Sequence, residues 1–84
     1  MTTVDWDTQA RDFLERSPKD VSRRIFHKVD AIKNNVERYL ETLVSIDAYK
    51  IRIDEYRLFV DFYRDQDRLV IRAIRHRKDA YKRR

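Results

Sequence analysis

The sequence predicts an α+β domain: an N-terminal strand, a two-helix hairpin, then a three-stranded antiparallel meander, with the helices packed on one face of the sheet. Three observations carry this prediction. Apolar residues recur at intervals of three and four from Val21 to Val36, the period of a helix. From Tyr49 the period shortens to two, the period of a strand. Around both patterns stand residues that start helices and close hairpins.

Taken in order, Thr2 to Trp6 alternates weakly and is read as a short strand. Asp7 is a good N-cap for a short helix through Arg16, with Ala10, Phe13 and Leu14 facing inward. Ser17-Pro18-Lys19-Asp20 is a stronger signal. Serine at the N-cap, proline at the first helical position and an acid three residues after the cap start a second helix. Its stripe is Val21, Ile25, Val29, Ile32 and Val36, widened by Phe26, and Tyr39, Leu40 and Leu43 continue the periodicity. The helix is therefore expected to end between Lys33 and Leu43. The stripe is read as core, and His27, on the opposite face, as a solvated histidine.

In the meander, Tyr49, Ile51 and Ile53 face one way and Lys50 and Arg52 the other. Asp54-Glu55 makes a tight turn without the Gly or Asn that two-residue hairpins favour. Tyr56, Leu58, Val60 and Phe62 alternate with Arg57, Phe59, Asp61 and Tyr63, and residues 64–67 form the second turn. Arg68 to Arg75 reads as apolar on both faces, with Leu69, Ile71 and Ala73 against Val70 and Ile74, which suits an interior strand.

Eighty-four residues make one domain, 1–84, near the lower limit for a self-sufficient core. With no cysteine there is no disulfide, which fits a reducing, cytoplasmic setting. The N-terminal ten residues carry two Asp and no basic residue, and no apolar run nears the length of a membrane span, so neither a signal peptide nor a membrane segment is expected. High charge, no Cys or Gly, one Pro and a lone initial Met give a thermophile-like composition.

Charge is unevenly spread. Residues 1–67 hold 12 Lys/Arg against 14 Asp/Glu, net −2, while residues 68–84 hold 8 against the single Asp79, net +7. A basic end on a nearly neutral body points to a polyanion or an acidic partner. A solvated tail accounts for Lys82, Arg83 and Arg84, but not for Arg72 or Arg75 inside a strand. Without glycine there is neither a P-loop nor a dinucleotide fingerprint, and no metal site is expected from two distant histidines and scattered carboxylates. The cations remain. Lys50 and Arg52 share a face, the hairpin brings Arg57 close, and Arg77 follows the last strand with His76 beside it and Tyr81 one helical turn on. Such a cluster binds a phosphodiester and stabilises extra charge in its transition state. Basic residues on the open face of a sheet are also often plain solvated alternation, so spacing alone reaches nucleic-acid binding and stops there.

The order of elements, and above all YKIRIDEYR followed by IRAIRHRKDAY, resembles the RelE/ParE superfamily of type II toxins. Members typically read Y-[KR]-[IL]-[KR]-[VI], a turn, D-Y-R, and later G-H-R-[KR]-D-V-Y. WDTQARDFL matches the family's opening, so the resemblance covers nearly the whole chain. The basic cluster is more similar to RelE, a ribosome-dependent mRNA endonuclease, than to ParE, a gyrase poison. That resemblance implies a RelE-like fold and a toxin that cleaves mRNA in the ribosomal A site. There the 2′-OH attacks the next phosphate and leaves a 2′,3′-cyclic phosphate without a cofactor or metal. A cognate antitoxin, in a heteromeric complex, is the implied protein partner.

Carried over on matching positions, Lys50, Arg52, Arg57, Arg77 and Tyr81 are the implied catalytic residues, with Arg75, His76, Lys78 and Lys82 contacting RNA. Two departures stand out. The family's glycines, in the turn before Y-R and before H-R, are replaced here by Asp54-Glu55 and Arg75, so altered backbone geometry is expected at both. Arginine at position 52 does not readily give up a proton, which leaves Lys50, favoured, or His76 as general base. The alternatives are a ParE-like gyrase inhibitor and a non-catalytic nucleic-acid-binding protein.

Overall fold

A computed structural model describes residues 2–43 and 48–80. It runs β1 (Thr3–Trp6), α1 (Thr8–Arg16), α2 (Lys19–Ile32), a 3-10 segment (Lys33–Arg38), β2 (Glu41–Thr42), β3 (Ala48–Ile53), β4 (Tyr56–Tyr63), β5 (Arg68–His76) and α3 (Arg77–Ala80). The α+β prediction is met: strand, two helices, then an antiparallel meander. The sheet has five strands in the order β1-β5-β4-β3-β2. All neighbours are antiparallel except β1 and β5, which pair in parallel from Thr3↔Arg68 to Trp6↔Ile71. Parallel pairing needs a long crossover, and most of the chain lies between these two strands.

Period-two alternation sorts β3 and β4 as their sequences require. Ile51, Ile53, Leu58 and Val60 are buried against Ala10, Ile25, Val29, Ile32 and Val36 of the helical layer. Leu69, Ile71 and Ile74 of β5 complete that core.

The predicted faces of β5 need correction. Cross-strand partners run Phe59↔Ala73 and then Val60↔Ile71, so Arg72 is an extra residue, a β-bulge. The bulge shifts the phase of the strand by one. Leu69 and Ile71 face the helices before it, and Ile74 and His76 after it, while Ala73 and Arg75 turn to the open face. Unbroken alternation would have put Arg75 into the core. Burial drives the shift, because Ile74 is 4% exposed and the charged residue beside it stays in water.

Since Arg72 is the surplus residue, deleting it should restore a regular ladder with every face kept. The cost is its ion pairs with Asp61 and Asp7, and exposed pairs are worth about 0–1 kcal/mol each. A thermal midpoint lowered by no more than about 16 °C is expected. Deleting Val70 instead should unfold the domain, because it turns the β5 core residues outward. Equal losses for both deletions would refute the bulge argument.

Two helix boundaries differ from expectation, both of α2. The α-helix α2 ends at Ile32, and the 3-10 segment continues to Arg38 with Asn35 at φ −137°, ψ 42°. Asparagine side chains compete for nearby backbone groups, and the pair Asn34-Asn35 breaks the helix where the apolar period alone would carry it on. Val36 is buried all the same. Ser17 is not the N-cap of α2. Its hydroxyl donates to the Phe13 carbonyl at 2.7 Å, closing α1, and Pro18 takes the cap position. Asp7 is the N-cap of α1, as expected, but makes no side-chain cap bond; its N–H extends the β1–β5 ladder to the Ile71 carbonyl and its carboxylate pairs with Arg72 at 3.1 Å.

Turns without glycine use aspartate. Asp54 (φ 53°) and Asp67 (φ 49°) adopt the left-handed conformation, which Asp tolerates better than most residues. The backbone geometry expected to change at the glycine-free turn is thus supplied by Asp54, with Arg24 of α2 at 3.8 Å from its carboxylate. Arg75, at the other missing glycine, has ordinary negative φ. Asp67 is further anchored by the Thr2 hydroxyl, which donates to its carboxylate at 2.7 Å and lowers its pKa below the usual range.

Candidate functional site

On the face away from the helices, Lys50 and Arg52 leave β3, Arg57 leaves β4 and Arg75 leaves β5. Register makes Arg57 the direct cross-strand partner of both Arg52 and Arg75. Three arginines therefore lie in one row across three strands, about 4.8 Å apart from strand to strand. Like charges directly opposite one another repel across a sheet, and a ligand of dense negative charge would offset that repulsion. Arg57, in the middle, is 6% exposed, and away from water its field on an anion is less screened.

A cleft of about 220 Å³ lies at one end of the row, lined by Arg52, Asp54, Glu55, Tyr56, Arg57 and Arg77. Arg77 is placed by its own backbone, whose N–H donates to the Glu55 carbonyl at 2.6 Å and ties the start of α3 to the β3–β4 turn. Arg52, Arg57 and Arg77, separate in sequence, are thus brought together. Toward β1 the same face is neutral. Arg72 pairs with Asp61 and Asp7, and Arg68 with Asp5 at 2.6 Å. The hydrogen bond to Asp61 raises the pKa of Arg72 beyond its ordinary value. Among the described residues no carboxylate forms an ion pair with Arg75 or Arg77.

Glu41 was not foreseen. It sits on the two-residue strand β2 in register with Lys50, its carboxylate 3.8 Å from Lys50 Nζ and 3.2 Å from Arg52 Nε. Two residues of strand carry no alternation to read, so the sequence offered no signal for it.

His76 does not join the cationic face. It is the partner of Tyr56 in the ladder, and its ring meets Tyr56 edge-on at 5.2 Å on the helix side. The Lys78 N–H donates to His76 Nδ1 at 3.1 Å, which leaves Nε2 as the protonated nitrogen of the neutral ring, 3.1 Å from Glu55. Both nitrogens are engaged, on the face opposite to Lys50. Lys78 is exposed on α3. Tyr81 and Lys82 lie outside the described residues. No group of three or more His, Cys, Asp or Glu that could hold a metal occurs among the described residues, and none of their helices is long and apolar enough to cross a membrane.

No protein-family model matches the chain, and no curated protein sequence matches it. Solved structures do. A chain of the toxin–antitoxin complex RelBE2 from Mycobacterium tuberculosis superposes with a TM-score of 0.82 at 22% identity, over 90% of this chain and 98% of that one. This is the RelE fold. The isolated RelE toxin of E. coli gives a TM-score of 0.75 at 15% identity, over 90% of this chain and 84% of that one. The archaeal RelE–RelB complex from Pyrococcus horikoshii gives 0.72 at 22% identity, over 90% and 94%. The fold is shared at identities too low to carry function with it, so the function of this RelE-like chain has to be argued from its own side chains.

Proposed function

We propose that this chain is the toxin of a type II toxin–antitoxin system, a metal-independent endoribonuclease that cuts mRNA in the ribosomal A site. One observation carries the reading: the row Arg52–Arg57–Arg75 with Arg77 at its end, an arrangement of like charges that a phosphodiester would relieve.

In the proposed reaction the 2′-oxygen attacks the adjacent phosphorus, the bond to the 5′-oxygen breaks, and a 2′,3′-cyclic phosphate remains. The row stabilises the charge that builds on the non-bridging oxygens. Arg77, in the cleft, faces the leaving 5′-oxygen and offsets its developing negative charge while that oxygen takes a proton from water. Arginine does not release a proton near neutral pH, and His76 is on the other face, so removal of the 2′-OH proton falls to the Lys50–Glu41 pair. No group stands out as a strong base, which accords with a reaction that relies on the ribosome to hold the RNA in line. RelE structures solved with RelB support a cognate antitoxin as partner, and the cationic row gives an acidic segment something to cover.

Primer extension on ribosome-bound mRNA tests the reading. The wild type should give cuts that repeat with the codon period, and free mRNA should be cut poorly. Arg77→Ala should lower the rate by about 100-fold. An undiminished rate would remove Arg77 from the site. No cutting by the wild type would leave gyrase inhibition or plain nucleic-acid binding as the function.

A further inference from the structure

A second concavity is larger than the cleft at Arg77. It is a groove of about 500 Å³ between α1 and the end of β5. It exists because β1 stops at Trp6, opposite Ile71, and leaves the rest of β5 without a strand on that side. Helix α1 packs beside this uncovered stretch at a distance. Gln9, Asp12, Phe13 and Arg16 come from the helix, and Ala73 and Arg75 from the strand.

We infer that this groove is a nucleobase subsite, taking the base of a nucleotide next to the phosphate held by the arginine row. Three observations lead there. The groove and the row share Arg75, which lines the one and stands beside Arg57 in the other. An RNA strand whose phosphate lies on the row therefore has this groove as its neighbour. Its size is that of a small-ligand site, which the 220 Å³ cleft is not. Its chemistry is that of a base reader: an aromatic ring, a small residue opposite, an amide, and a carboxylate that only accepts hydrogen bonds.

The aromatic wall is built in depth. Phe13 meets Tyr56 edge-on at 5.9 Å, and Tyr56 meets His76 at 5.2 Å, so the ring row runs behind β5 from the groove to the Arg77 cleft. This gives His76 a place in the site as support for Tyr56. Asp12 selects for bases with an exocyclic amino group, and the Gln9 amide can pair with the edge of adenine. Uracil has no such donor and should bind worst. This inference rests on the RNA reading above and adds sequence preference to it.

The test is binding of five single-stranded RNA hexamers, identical except at one central position that carries A, C, G, U or no base. Fluorescence anisotropy gives the affinities. For the wild type, at least one amino-bearing base should bind about 5- to 100-fold more tightly than the abasic strand, with uracil near the abasic value. Gln9→Ala/Asp12→Ala should draw the five affinities together. Arg57→Ala should weaken all five while keeping their ratios. The inference fails if the double variant keeps the wild-type ratios, as it would if the groove took a peptide, or if the wild type ignores the base. The underlying RNA reading fails separately, and takes the inference with it, if Arg57→Ala changes no affinity. Both changed residues are exposed on α1, and a retained thermal midpoint confirms folding.

Discussion

Replacing Arg75 with alanine should slow cleavage of ribosome-bound mRNA by about 100-fold or more and leave the thermal midpoint no lower than that of the wild type. The two effects have one cause. Arg75 stands in register with Arg57, itself opposite Arg52. A guanidinium facing another guanidinium contributes repulsion in the folded state, and among the described residues no carboxylate offsets it at Arg75. Removing it deletes an unfavourable contact from an exposed position. In the reaction the same group faces an anion whose charge grows toward the transition state, and its loss is felt there in full. A site that opposes its own fold is the usual form of a trade between activity and stability. Arg75→Lys should recover part of the rate, since it keeps the charge but not the planar fork. A midpoint lowered by more than about 5 °C would mean that Arg75 serves the fold, and an unchanged rate would detach the row from function.

The same residue shows how far the sequence can be read. Alternation in β3 and β4 is strict, so the faces of Lys50, Arg52 and Arg57 follow directly from their neighbours. In β5 it is not strict. Leu69, Ile71 and Ala73 read as one face, and alanine fits either side of a sheet, so nothing local marks Arg72 as surplus. The mark lies in Ile74, a large apolar residue that must be buried, and its partner Leu58 is far away in sequence. Register is decided by pairing, which is non-local. For the same reason Glu41 was out of reach, and so was the parallel place of β1 beside β5. Sequence adjacency places His76 beside Arg77, though a change of face separates them. Helix starts and stops were readable to within a few residues, and missed where a side chain had a competing use, as Ser17 does at the end of α1.

Ile74→Ala, one position from Arg75, should have the opposite outcome. Ile74 is 4% exposed and packs on the helix side of β5 as the partner of Leu58, which is fully buried. Truncating a buried isoleucine to alanine costs about 2–5 kcal/mol, through lost burial and the cavity left behind. In a domain of this size each kcal/mol moves the midpoint by about 4–8 °C, so a fall of about 8–40 °C is expected. A small core holds little in reserve, and the upper part of that range leaves the chain unfolded at ordinary growth temperatures. The loss has a second consequence, because burial of Ile74 is what sets the phase of β5 beyond the bulge. With alanine at both 73 and 74, that phase is weakly specified, and Arg75 loses its fixed place opposite Arg57. Activity should then fall further than the folded fraction does, measured by cleavage rate per folded molecule below the midpoint. Ile74→Val should return most of the stability and all of the register. If Ile74→Ala kept full activity per folded molecule, the apolar residue after the bulge would not be what holds the arginine row in line.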